Sequence, residues 1–217
     1  MDARAVDRQL RAKIWPLLRL HGFLRRASRI AWRYENGVDL VEISSVGSSW
    51  DSIGCTSFSI SARVAAMPRF VKPPKQTPER DGELRPHYWH CQLQWGLRKS
   101  LSQPWFHPFA EPHRDLPRSL ALHREGLKQV LRRDVHDRTD IWFIKEDGSN
   151  VDEVMDDLIA AIEGEGMAVL ARFHDSNAVI KMVLAEELGA RPNSPAANEL
   201  IRGALEFLST NPERLSG

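Results

Sequence analysis

The sequence predicts an α+β fold: an antiparallel β-meander of about four to five strands with an N-terminal helix and C-terminal helices packed on it. Three observations carry this reading. Val6, Leu10, Ile14, Leu17 and Leu18 recur at helical steps near the start. Alternating apolar residues then appear between Ser28 and Val64, joined by connections too short for parallel crossovers. Helical spacing returns over the last third of the chain.

The first helix is expected over about Ala3–Leu20, with Asp2 as its cap, Gly22 as its terminator and a kink at Pro16, which lacks a backbone donor. Ser28–Tyr34 places Ile30, Trp32 and Tyr34 on one side of a strand. Asn36-Gly37 signals a hairpin turn, because both residues tolerate positive φ. Val38–Ser44 is its partner, and Thr56–Val64 aligns Phe58, Ile60, Ala62 and Val64. Two proline-rich stretches, about 68–87 and 104–117, read as long exposed loops, with a strand from Trp89 to Leu97 between them. A helix is expected over about Arg118–Arg133, then a short strand, Asp140–Lys145, buried on both faces. Asn150 caps the next helix, one more runs over about Ser176–Leu188 to Gly189, and the last opens at Ser194-Pro195. Its core face is Leu200, Ile201, Ala204, Leu205 and Leu208. The 217 residues are expected to form one domain, since neither set of strands is large enough to stand alone.

Trp15–Arg33 contains a helix ending Leu17-Leu18-Arg19-Leu20-His21-Gly22-Phe23, the basic pair Arg25-Arg26, and the strand Ile30-Ala31-Trp32-Arg33. Together with Thr56–Val64, Asp140-Ile-Trp-Phe-Ile, Gly166, Asp175 and a final helix pair, this resembles the bacterial family known as domain of unknown function 4304. The resemblance covers most of the chain and implies a bacterial source. It implies no established activity, so no catalytic residue follows from it. Ile43-Ser44-Ser45-Val46 and the length of the proline-rich stretches depart from the family pattern.

Lys plus Arg (30) nearly balances Asp plus Glu (29), which argues against a generic polyanion binder. The charge is nevertheless polarised. Residues 1–33 carry nine Lys/Arg against two Asp, net +7, and residues 151–217 carry five Lys/Arg against twelve Asp/Glu, net −7. These runs read as solvated helix faces or as a steering surface. The two cysteines, Cys55 and Cys91, are too few for a disulfide framework. With no apolar leader or membrane-length run, a cytoplasmic protein without membrane contact is expected.

Candidate chemistry is sparse. His87, His90, Cys91 and His107 are the right types for a metal such as zinc in a metal-assisted hydrolase, but adjacent or odd-spaced residues diverge on a strand. No nucleophile elbow is present, Gly164-Glu165-Gly166 lacks the spacing of a phosphate loop, and Asp156-Asp157 and Glu186-Glu187 diverge on helices. Arg4, Arg8, Arg11, Arg25 and Arg26 could form a basic patch for nucleic acid. Trp105, Phe106 and Phe109 place three large apolar side chains in a short loop and form the preferred contact surface for another protein. The expected function is a non-enzymatic protein-binding or accessory, immunity-like module with no cofactor, with the hydrolase and nucleic-acid readings as alternatives.

Overall fold

The computed structural model describes residues 1–46, 56–103, 139–188 and 195–210. Helix α1 spans Ala3–Gln9 and is capped by Asp2, whose carboxylate accepts from the Ala5 amide. The backbone then widens into a π turn, Leu10–Ile14, before α2, Trp15–Leu20. The Trp15 amide reaches back to the Leu10 carbonyl. This is where the kink expected at Pro16 is absorbed: the proline cannot donate to Ala12, and a wider turn makes room for its ring. Gly22 ends the segment with φ +81°.

The strands follow. Strand β1 is Arg25–Ala27, β2 Ile30–Arg33, β3 Gly37–Ser45 and β4 Ile60–Pro68. Strands β5, Glu79–Arg80, and β6, Glu83–Leu84, fold around Asp81-Gly82 inside the first proline-rich loop. Strand β7 is Leu93–Gly96. Five of them form an antiparallel sheet of order β1-β2-β3-β4-β7, and the small β5-β6 hairpin stands apart from it. Neither β1 nor this hairpin is evident from the alternation, because each strand is only two or three residues long. Strand β1 folds back on β2 through Ser28, which takes φ +53°. Of Asn36-Gly37, only Gly37 adopts positive φ, and Arg33 pairs with Asp39, so the connection is longer than a two-residue turn.

The strand expected from Trp89 begins only at Leu93: Tyr88–His90 forms a 3₁₀ turn in which His90 Nδ1 accepts from the His87 amide. Among the described residues the segment 140–145 makes a single bridge, Trp142 to Ile60. Side chains replace the missing neighbour strand. Gln103 bonds both the amide and carbonyl of Phe143, Ser59 accepts from Ile144, and Thr56 donates to the Ile144 carbonyl. The expectation of burial on both faces holds: Ile141 to Ile144 are all buried.

Helix α3, Val151–Ala161, passes through a second π turn, Ile162–Gly166, into α4, Met167–Phe173. Asn150 precedes α3 but spends its side chain on Lys145 and Phe143 rather than on the helix amides. Helix α5 is Ser176–Leu184. It stops short of Gly189 because Glu186 takes φ +59° and the Glu187 amide bonds the Met182 carbonyl, a left-handed cap that closes the last turn. Helix α6 is Pro195–Thr210, with Leu200, Ala204 and Leu208 buried and Leu205 exposed. Among the described residues no helix is long and apolar enough to cross a membrane.

The chain divides into two compact units. One comprises Met1–Leu20, Ile43–Ala62 and Leu97–Ile162; the other comprises His21–Glu42, Arg63–Gly96 and Glu163–Gly217. In the first, Lys13 meets Asp152 at 3.1 Å and Asp156 at 3.0 Å, so part of the basic head faces part of the acidic tail. Both hydrogen bonds raise the Lys13 pKa, Asp156 more than Asp152. The buried Asp157 carboxylate accepts from Trp142 Nε1 at 2.8 Å and from the Ser100 amide at 3.1 Å, fixing α3 in place. In the second unit, Ile30, Trp32, Val38, Leu40, Ala65, Met67 and Cys91 form one buried cluster, with Tyr34, Leu84 and Tyr88 at its edge. The predicted side of β2 is therefore a core face.

Candidate functional site

The second unit contains a pocket of about 510 Å³ lined by residues of the β2–β3 turn, the end of β4, the α4–α5 junction and α6. Two glycines let these pieces meet. A Cβ on Gly37, at φ +121°, would lie 2.3 Å from the Met67 carbonyl oxygen. A Cβ on Gly203 would lie 2.5 Å from the Phe70 carbonyl oxygen. The backbone from Met67 to Phe70 is thus approached by the turn at one position and by α6 at another, and neither approach tolerates a side chain. Phe70 consequently packs on Phe207 with ring centroids 5.8 Å apart, forming an apolar wall with Leu208. Arg69 is exposed at the same pocket and donates one bond, Nη2 to the Glu35 carbonyl at 2.9 Å.

A buried carboxylate supports the opposite wall. Asp39 is 3% exposed, between the buried Val38 and Leu40 of β3. Its Oδ2 accepts from Arg33 Nε at 2.9 Å and Nη2 at 2.7 Å, and its Oδ1 lies 2.6 Å from His174 Nε2. Arg33 also donates to the His21 carbonyl at 3.0 Å and stacks over Phe23. A carboxylate offers only acceptors to these partners, so Nε2 carries a proton and donates it to Asp39. Nδ1 of the same ring is buried and has no hydrogen-bond partner among the described residues, while the His174 residue lines the pocket.

Helix α5 begins at the pocket, but two of its first amides are taken. The Asp175 carboxylate caps it, accepting from Asn177 at 2.9 Å and Ala178 at 3.2 Å. The pocket therefore combines a guanidinium, an imidazole with an unpartnered nitrogen and an aromatic wall, with an acidic cap at one side. These groups recognise and orient; a polyoxyanion would find no free helix amides at Asn177 and Ala178.

The residues singled out from sequence fall elsewhere. His87, His90 and Cys91 lie together around the 3₁₀ turn, where His90 Nδ1 and the Cys91 thiol face the His87 backbone, while His87 Nδ1 lies 3.7 Å from Glu42 Oε2. His90 Nδ1 accepts from the His87 amide, the Cys91 thiol lies 3.7 Å from the His87 carbonyl, and the His87 ring stacks on Trp89 at 4.2 Å. Burial, then the neighbouring His87, lowers the His90 pKa. Burial is also the main cause holding the Cys91 thiol far above its ordinary pKa, with Asp39 and Glu42 adding to it. Among the described residues no group of three or more His, Cys, Asp or Glu could hold a metal. His107 lies outside the described residues, as do Cys55, the contact residues Trp105, Phe106 and Phe109, the second proline-rich loop and the helix expected over Arg118–Arg133.

Of the basic residues, Arg4, Arg8 and Arg11 are exposed on the first helical segment of one unit. Arg25 and Arg26 are exposed on β1 of the other, where Arg25 pairs with Glu83 at 3.1 Å.

Thiol chemistry gives a direct check on the Cys91 environment. In a Cys55→Ser variant, Cys91 should not react with a disulfide reagent at pH 8 until denaturant unfolds the chain, because the thiolate is the nucleophile. Fast labelling in the native state would contradict the burial described.

Sequence reasoning missed the Arg33–Asp39–His174 contact. A signal for half of it existed: an aspartate between Val38 and Leu40 of a predicted strand must be either exposed or paired. Nothing in the sequence marks His174 as the partner of a residue 135 positions away. No family model, curated protein or solved structure matches the chain.

Proposed function

We propose that this chain is a non-enzymatic binding module for another protein, and that the pocket bounded by Arg69, Phe70, His174 and Phe207 is where the partner seats. The observation that carries this reading is the pocket itself: about 510 Å³, within the roughly 300–1,000 Å³ range of ligand sites, with polar and apolar walls contributed by four separate chain segments. Its functional groups suit recognition. Arg69 has no carboxylate within ion-pair distance among the described residues. The Asp39 carboxylate is already shared between Arg33 and His174, which suits holding the ring still rather than moving protons. Helices α5 and α6 also carry the exposed Leu184 and Leu205, apolar surface of the kind a protein partner covers.

The test is comparative capture. Tagged wild-type protein and Arg69→Glu should fold with the same circular dichroism and melting temperature, since Arg69 is exposed. A partner captured by the wild type and identified by mass spectrometry should be lost from Arg69→Glu. Equal capture by both proteins would overturn the placement of the site.

A further inference from the structure

We propose that the pocket recognises the C-terminal end of a peptide whose last residue is apolar. This rests on the binding-module reading above and names its ligand. Four features select that chemistry. Arg69 offers a planar fork, matched bidentately by a carboxylate, and its one described bond, to Glu35, leaves donors for a ligand. The Asp175 cap occupies the Asn177 and Ala178 amides, so these two amides do not cradle a phosphate. The same carboxylate disfavours a second negative charge, which selects a ligand with one. The tilted Phe70–Phe207 pair with Leu208 takes a large apolar side chain.

His174 supplies the fourth feature. Its Nδ1 is buried and has no hydrogen-bond partner among the described residues, and Asp39 holds the ring through Nε2. The backbone amide group of a ligand offers that nitrogen a partner. A carboxylate, a backbone amide and an apolar side chain on one small unit describe the last residue of a peptide. An N-acylated amino acid shares that chemistry, and the experiment separates the two.

The experiment is a fluorescence-anisotropy titration of the full chain with a labelled hexapeptide ending in phenylalanine with a free carboxylate. The same peptide with an amidated end, and one ending in glycine, serve as comparisons. The free acid should bind, amidation should weaken it at least about tenfold, and the glycine end should weaken it similarly. Arg69→Gln should abolish the preference for acid over amide while leaving the fold intact. Phe207→Ala should abolish the preference for phenylalanine over glycine. Equal binding of acid and amide, or no binding of the free acid, overturns the proposal. If no peptide binds while capture of a protein partner still depends on Arg69, the ligand class fails and the binding-module reading stands. N-acetyl-phenylalanine binding as tightly as the hexapeptide would also overturn it, making a free acylamino acid the ligand.

Discussion

Replacing Asp39 with Ala is expected to destabilise the fold by about 3–5 kcal/mol, the range for removing one partner of a buried ion pair. Asp39 is 3% exposed and satisfies three donors on two side chains, Arg33 and His174. Its removal leaves the Arg33 guanidinium, itself largely buried, facing an apolar void, and leaves His174 without the contact that ties the end of α4 to β3. The cost is dominated by the stranded charge rather than by the bonds themselves. Urea denaturation of Asp39→Ala against wild type measures it. The double variant Asp39→Leu with Arg33→Met removes the stranded charge and should recover a large part of the loss. A single-variant loss below about 1 kcal/mol, or no recovery in the double, would show that the pair is not buried as described.

Gly37→Ala is the second large effect, at least about 3 kcal/mol from strained backbone combined with a clash. At φ +121° a side chain is already strained, and the added Cβ meets the Met67 carbonyl oxygen at 2.3 Å, Pro68 Cα at 3.0 Å and the Arg69 amide at 3.1 Å. All three are backbone atoms and cannot rotate away. Relief requires moving the Met67–Phe70 segment that forms one side of the pocket, so ligand binding should fall beyond what the lost stability explains. Gly82→Ala is the control. It also has positive φ, +77°, but its Cβ meets nothing within 4 Å, so its cost should stay near 1 kcal/mol. Thermal melts of the two variants side by side decide the matter; equal losses would mean that the close approach at Gly37 carries no energy.

The local features written in short-range patterns were legible. Ile30, Trp32 and Tyr34 do share the core side of β2, Asp2 does cap α1, and Gly22 does end α2 with positive φ. The failures have a common form. Residues 140–145 have strand composition, yet their amides and carbonyls bond largely to Gln103, Ser59, Thr56 and Asn150 side chains. Histidines 87 and 90 look like ligands, yet one ring caps a turn and the other stacks on Trp89. In each case residue type was read correctly, and its partner was supplied by something distant or by a turn that propensity does not encode.

By itself the sequence determined the α+β class, the antiparallel meander, and most of the residues that are buried, because period and turn chemistry act over a few residues and need no partner. The tertiary structure alone decided the pocket. Arg69, His174 and Phe207 are unremarkable in their own segments, and they share a pocket because two glycines permit close backbone approach and a buried aspartate holds one ring in place. Such contacts join residues from thirty to more than a hundred and thirty positions apart, and local preference carries no information about them.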